Sequence, residues 1–296
     1  MTIQRALWRG FLYFCMLIVI VAIFAPLIWL GISSISSRAE LLETPPHWIP
    51  HKPTLQNYKD LLMPDQEASR TAQGFRYAMR NSLVVSSAVA LISLFFGILA
   101  AYAFARLDFP LRRTGVVAYM SLRMLPGVSV IIPLYVLLRD GHSVFNLVLG
   151  KGNLLNTQKG LILVYLSFTL PFVIYVMTSF FQTLPTELED AARVDGCTRL
   201  GALWRIILPV ARPGLVATGV FAFLLAWDEF FFALLLTSTP AAKTIPVAIT
   251  EFTGRHSTDF SAQAAGGILA AAPPVLLALI FQRYIVRGLT AGAVKG

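Results

Sequence analysis

Charge is scarce along this chain. Asp, Glu, Lys and Arg make up 13% of its 296 residues, apolar residues make up 56%, and the mean hydropathy is +0.70. A soluble domain of this length does not reach such values. Cysteine is almost missing: Cys15 sits in an apolar run and Cys197 in a polar segment, so neither a disulfide framework nor a cysteine metal site can be drawn. The histidines, His47, His51, His142 and His256, lie scattered without ligand spacing such as HExxH and read as solvated loop residues. No GxxxxGK(S/T) phosphate loop occurs, because Gly150-Lys151 lacks the rest of it. The net charge of +9 comes without a basic stripe or a reader motif, which argues against nucleic acid as a partner.

Long apolar runs are what the chain does have. Six of them, 12–32, 82–104, 114–138, 160–183, 213–236 and 263–285, reach the length of about 20 residues that a helix needs to cross hydrocarbon. The alternation of a lipid-facing barrel is missing. The sequence therefore predicts an all-α polytopic membrane protein with six transmembrane helices. The first run follows Arg5 and Arg9, exceeds the apolar core of a signal peptide and contains Pro26, so it reads as an uncleaved span. Basic residues divide almost evenly between the two sides. Their density in short loops, among them Arg106, Arg112, Arg113, Arg193, Arg199, Arg205 and Arg212, places both termini in the cytoplasm.

On this topology, residues 1–33 carry the N-terminal segment and first span, and 34–76 form an extracytoplasmic loop. There PPHWIP (45–50) and KPTLQNY (52–58) read as a tied-down loop, not a second domain. A transmembrane core follows over 77–285, with a cytoplasmic loop at 184–213 and an extracytoplasmic loop at 237–262, and 286–296 form a cytoplasmic tail. The outer loop holds Pro240, Lys243, Pro246, Glu251, Gly254 and Arg255, turn and polar chemistry that suits an ordered loop.

One stretch departs from this apolar background. ELEDAARVDG, residues 187–196, packs Glu187, Glu189, Asp190 and Asp195 around Ala191 and Ala192 and ends on Gly196. Thr186 followed by Glu189 reads as a capping box, Glu187 and Glu189 lie at the positive end of a helix dipole, and Gly196 supplies the left-handed stop. The spacing predicts a short helix over 187–195 with Leu188, Ala191 and Ala192 on one face. Thr198 can cap a second helix, ended by Pro209, whose stripe of Leu200, Leu203, Trp204 and Ile207 suits the membrane surface. A helix of barely two turns is marginal alone, so a partner groove is expected to hold it; the alternative is a solvated cap between spans.

The run Asp190-Ala191-Ala192, three residues, Gly196, nine residues and then Ile206-Ile207-Leu208-Pro209 resembles the EAA loop of ABC importer permeases. PTLQNY (53–58), AYAFARLDFP (101–110), LLAWDEFFFALLL (224–236) and RGLTAGAVKG (287–296) resemble the carbohydrate-uptake branch, in particular maltose-type permease subunits. Two departures stand out: Asp190 replaces the usual Glu, and Asp228 replaces the usual Asn. The resemblance implies a type I ABC importer permease fold in the cell inner membrane. It implies a second homologous permease, two ATP-binding cassette ATPase subunits and an extracytoplasmic sugar-binding protein as partners. No cofactor belongs to this chain; ATP and Mg are bound by the ATPases, and the permease is not an enzyme. Residues Glu187, Glu189, Asp190, Ala191, Ala192, Asp195 and Gly196 would then be the ATPase-coupling segment, and the 237–262 loop would probe the binding protein. The tail would reach toward the ATPases, with a frayed terminus as the alternative. A stand-alone secondary transporter is the rival class; Pro126, Pro133 and Pro171 interrupt spans, but no paired half is visible.

Arg123, Asp228 and Glu229 are the ionisable residues deepest in the runs. A charge at the bilayer centre costs at least about 2.5–3.5 kcal/mol, so such groups face the bundle interior or water. At helical rise, Arg123 and Asp228 differ in level by about 9 Å, long for a direct salt bridge. Arg123 is expected against helix ends or carbonyls. Asp228 and Glu229 are expected near the outer mouth of a path, accepting hydrogen bonds from sugar hydroxyls beside the apolar face of Trp227 or a neighbouring phenylalanine. Interhelix hydrogen bonds without substrate contact are the alternative.

Overall fold

A computed structural model describes residues 3–44, 48–63, 70–110, 112–121, 124–139, 153–253 and 258–293. The described residues are helical throughout, apart from loops and one isolated bridge between Thr253 and Thr258. In chain order the helices are α1 (Ile3–Ile35), α2 (Arg38–Leu41), α3 (Gln56–Leu62), α4 (Arg70–Arg106), α5 (Arg112–Ser121), α6 (Gly127–Arg139) and α7 (Gln158–Thr183). There follow α8 (Glu187–Val194), α9 (Arg199–Ala202), a π-helical turn (Leu203–Ile207), α10 (Leu208–Val210) and α11 (Arg212–Trp227). The last three are α12 (Phe231–Leu236), α13 (Ile245–Thr250) and α14 (Phe260–Ala293).

Four stretches are long and apolar enough to cross a membrane, at 7–35, 71–106, 158–183 and 260–286. The other two predicted spans need correction. The run 114–138 is split into α5 and α6 around Pro126, because the residue before a proline is driven out of helical geometry. The run 213–236 stops as a helix at Trp227 and restarts at Phe231. Pro133 and Pro171, by contrast, stay inside continuous helices.

The chain divides into two compact units. One comprises 1–76 with 248–272. In it α3 is pinned to the end of α1: Asn57 Nδ2 donates to the carbonyls of Ser34 and Ser36 at 2.8 and 3.0 Å, and Tyr58 Oη donates to Ser34 Oγ at 2.7 Å. Trp29 and Trp48 meet edge to face at 5.2 Å, and the Glu40 carboxylate accepts the backbone N–H of His51. The side chains of α1 from Leu7 to Ile28 stay largely exposed, a surface left for lipid or for another chain.

The second unit comprises 77–247 with 273–296, and α4 is its axis. Ala90, Ile98, Ala101, Tyr102 and Ala105 of α4 pack with Val173, Met177 and Phe181 of α7, Leu203 and Ile207 of the π turn, and Phe223 and Trp227 of α11. Further along, Val85 and Val89 join Leu138, Leu161, Val164, Tyr165, Ala233 and Leu236 in a second cluster. Small residues set the helix spacing, as expected where lipid removes the hydrophobic drive for helix pairing. A Cβ on Gly97 would lie 2.5 Å from Val173 Cγ1, and one on Gly160 would lie 2.2 Å from the Leu154 carbonyl oxygen. The Gly160 contact is with backbone and cannot be relieved by a rotamer change. Gly160→Ala is therefore expected to cost about 1–3 kcal/mol as an overpacked site, read as a lower midpoint of thermal unfolding in detergent; an unchanged midpoint contradicts this packing.

Candidate functional site

Within 184–213 the short helix forms where the sequence places it, but its start is built differently. Thr186 has helical backbone angles (φ −70°, ψ −26°) and makes no side-chain cap; its carbonyl takes the N–H groups of Glu189 and Asp190 at 3.0 and 3.1 Å. The capping box fails because the Glu189 carboxylate has stronger partners. It accepts the hydroxyl of Tyr102 and lies 3.6 Å from Nε of Arg106, both at the end of α4. Hydrogen bonds and pairs involving ionised groups outweigh a neutral cap worth about 1 kcal/mol.

The helix end follows the sequence. Gly196 adopts φ +85°, Cys197 N–H donates to the Ala192 carbonyl at 2.9 Å, and Gly196 N–H donates to that of Arg193 at 3.0 Å. These two bonds make a Schellman motif, and a side chain at Gly196 would be strained in the left-handed region.

The faces of α8 also differ from the expected grouping. Leu188 and Glu189 are half-buried and Ala192 is buried against the chain itself, whereas Glu187, Asp190, Ala191, Arg193, Val194, Asp195 and Gly196 are exposed. Ala191 therefore lies beside Leu188 and Ala192 but on the exposed side of the boundary, at the edge of the outward face. Val194, an apolar side chain, is 88% exposed.

Thr198 caps the second helix as predicted, its Oγ1 accepting the N–H of Gly201 at 3.1 Å. Pro209 does not end it. Proline offers no N–H to the Arg205 carbonyl and its ring crowds that oxygen, and the chain answers with a π turn in which Leu208 N–H reaches back to Leu203 O. The helix then runs to Val210, and 199–210 meets 212–227 at 83°. The predicted stripe divides accordingly: Leu203 and Ile207 are fully buried, while Leu200 and Trp204 are exposed.

Two residues that sequence reasoning missed hold this loop. Tyr102 and Arg106 stand one turn apart on α4, so both reach Glu189. Arg106 Nη2 also donates to the Leu184 carbonyl at 2.8 Å, at the junction of α7 and α8. Arg112 closes the end of α4 by donating to the carbonyls of Phe104 and Ala105 at 2.6 and 2.9 Å. The i, i+4 placement of Tyr102 and Arg106 in AYAFARLDFP was the available signal.

At the break in the fifth run the expected path residues take separate roles. Trp227 is buried and stacked on Phe223 at 5.5 Å, so its face is covered by its own chain. Glu229 Oε1 and Oε2 accept the N–H groups of Phe232 and Ala233 at 2.9 and 3.1 Å, capping α12. Asp228 ends α11 and is exposed. Arg123 lies outside the described residues, as do 254–257 of the 237–262 loop and the last residues of the tail, 294–296.

The first part of that loop is fastened at several points. Asn81 Nδ2 donates to the carbonyls of Pro240 and Lys243, both at 2.9 Å, and Ser82 Oγ accepts the N–H of Ile245 at 2.8 Å. Asn156, at φ 55°, accepts the N–H groups of Ser238 and Thr239 at 2.9 and 3.0 Å. Among the described residues no group of three His, Cys, Asp or Glu side chains is arranged to hold a metal ion.

Residues 93–291 match the model of a family described as binding-protein-dependent transport system inner membrane component. The trehalose transport system permease protein of Mycobacterium tuberculosis is 38% identical over 92% of this chain and 92% of its own. The sulfoquinovosyl glycerol transport system permease protein of Agrobacterium fabrum is 35% identical over 92% of this chain and 88% of its own. A trehalose/maltose transport system permease protein of Thermococcus litoralis is 34% identical over 95% and 94%. Among solved structures, a bacterial ABC transporter that imports the acidic polysaccharide alginate aligns over 96% of this chain and 98% of its own, with a TM-score of 0.76 at 17% identity. That likeness is one of fold.

The two carboxylates at the break should separate on substitution. Glu229→Ala leaves two N–H groups without their acceptor and is expected to cost about 0.5–2 kcal/mol, the range for a lost cap, whereas Asp228→Asn should be neutral. Thermal unfolding in detergent ranks the two; equal midpoints contradict the capping role of Glu229.

Proposed function

We propose that this chain, which belongs to the family of binding-protein-dependent transport system inner membrane components, is a sugar-conducting permease subunit of an ATP-driven importer. It is a multi-pass inner-membrane protein and not itself the ATPase. The sugar reading rests on relatives whose names specify trehalose, maltose or sulfoquinovosyl glycerol. Such a subunit supplies one side of a path and alternates between two packings of its helices.

In this reading both termini and the 184–213 loop face the cytoplasm, and α8 seats in a cleft on an ATPase subunit. One observation carries the docking: the exposed face of α8 combines Glu187, Asp190 and Asp195 with Ala191 and an almost bare Val194. An apolar side chain among carboxylates at a helix surface suits a groove with an apolar floor and basic rim. Glu189 and Ala192 contribute from the other face, by seating the helix on its own chain, and Gly196 ends it. The second permease covers apolar surface that this chain leaves bare, including Val128, Ile132, Tyr135 and Val136 of α6.

On the opposite side, the outer loop 237–262, fastened to its own chain over its first part, meets the sugar-binding protein. Asp228 is the path candidate with a free face. Trp227 and Glu229 shape the break beside it, and Arg123 remains a candidate on sequence grounds.

The docking is tested on Ala191. Ala191→Trp points a bulky group away from the chain, so insertion should be normal while the ATPase recovered with the purified permease falls about tenfold or more, the effect of a loss of 1.4 kcal/mol. Gly196→Val, which strains the stop of α8, should act in the same direction. Wild-type recovery of the ATPase in both variants contradicts the docking.

A further inference from the structure

The contact of Glu189 with α4 joins residues 87 positions apart. Besides its covalent ends, the loop is attached to the bundle through Leu203 and Ile207 of the π turn, buried in the cluster with α4, α7 and α11. Glu189 gives the first helix of the loop, α8, a polar attachment of its own to α4, a helix that is not its neighbour in sequence.

The attachment is enclosed. The Arg106 and Glu189 side chains are 8% and 12% exposed, and Tyr102 is buried. Arg106 spans the joint, with Nη2 on the Leu184 carbonyl at 2.8 Å and Nε 3.6 Å from Glu189 Oε2. Tyr102 Oη lies 3.5 Å from the Arg199 carbonyl as well as on Glu189, so one hydroxyl touches both helices of the loop. Leu184 and Leu188 pack on the cluster that holds Ala101, Tyr102 and Ala105. The inward face of α8 is otherwise small, Leu188 and Ala192, and little apolar area would resist its sliding along α4. A partly buried carboxylate with a phenol and a guanidinium on it does resist, because moving any one partner leaves a poorly solvated charge alone.

We propose that Glu189 is a positioning residue which, with Tyr102 and Arg106, makes α8 one rigid piece with the loop-side end of α4. Displacement of α8 by the ATPase is delivered directly to α4, the axis of both apolar clusters in its unit. The proposal rests on the docking reading above and specifies which helix receives the motion.

The test uses the full transporter with its partner subunits. Cys15 is replaced by Ser, and nitroxide labels are placed at Leu91→Cys, an exposed site on α4, and at native Cys197 just past α8. Electron-electron distances are compared without nucleotide and with Mg-ATP and vanadate. The expected result is one distance in both states for the otherwise unaltered chain, and a changed or broadened distance on trapping in Glu189→Gln, with the ATPase still bound. Tyr102→Phe, which removes only the hydroxyl, should shift in the same direction by less and serves if Arg106 variants do not insert. Glu189→Arg combined with Arg106→Glu should restore the single distance. A change of a helical turn, about 5.4 Å, in the unaltered chain on trapping overturns the proposal, and so does an unchanged distance in Glu189→Gln. Loss of the ATPase from Glu189→Gln overturns it too, by making Glu189 a docking residue. If no ATPase purifies with the unaltered chain, the docking reading itself fails, a result seen before any distance is measured.

Discussion

A backbone N–H or C=O group in hydrocarbon has no water to turn to, and several helix ends and breaks among the described residues are built around that constraint. Where the fifth apolar run breaks, Glu229 takes the two N–H groups that the restart of α12 would leave free. At Pro209 the chain widens into a π turn. At the end of α4, Arg112 and Arg106 donate to the carbonyls of Phe104, Ala105 and Leu184. Asn81 and Asn156 do the same for the loop that follows α12. The few charged and amide side chains of an apolar sequence thus gather at helix ends, where they decide which helices can break and where.

The loop 184–213 follows from the same constraint. It leaves α7 at a carbonyl held by Arg106, makes two helices, and re-enters at a bend of 83°. Its first helix is too short to stand alone, and it is supported from within by Glu189, Leu188 and Ala192. That leaves its outward face, acidic with a bare valine, uncovered by the described residues. A surface of that kind, on a helix held firmly from behind, is suited to receive a push from another protein and to pass it on.

Much of this was legible in the sequence. Four of the six runs are continuous helices, because each couples about 20 apolar residues to polar ends. Gly196 and Thr198 act locally, so their roles can be read from position alone. Two of the misreadings have one cause, competition from distant residues or from backbone groups that a pattern does not show. Thr186 and Glu189 match a capping box, yet the partners of Glu189 lie 83 to 87 residues upstream. LLAWDEFFFALLL reads as an unbroken span, yet Glu229 caps a new helix inside it. Phe223 stacks on Trp227 from one turn away, an i, i+4 neighbour that helical spacing does place beside it. Tyr102 and Arg106 were passed over as ordinary members of an apolar helix end.

The central claim is that one face of α8 belongs to this chain and the other to an ATPase. A photoactivatable amino acid, introduced singly along 187–195 in the assembled transporter, tests it directly. Adducts with the ATPase are expected from positions 187, 190, 191 and 194, and none from 188 or 192, which should react only within the permease. Adducts from 188 and 192, or none from any position, would contradict the account.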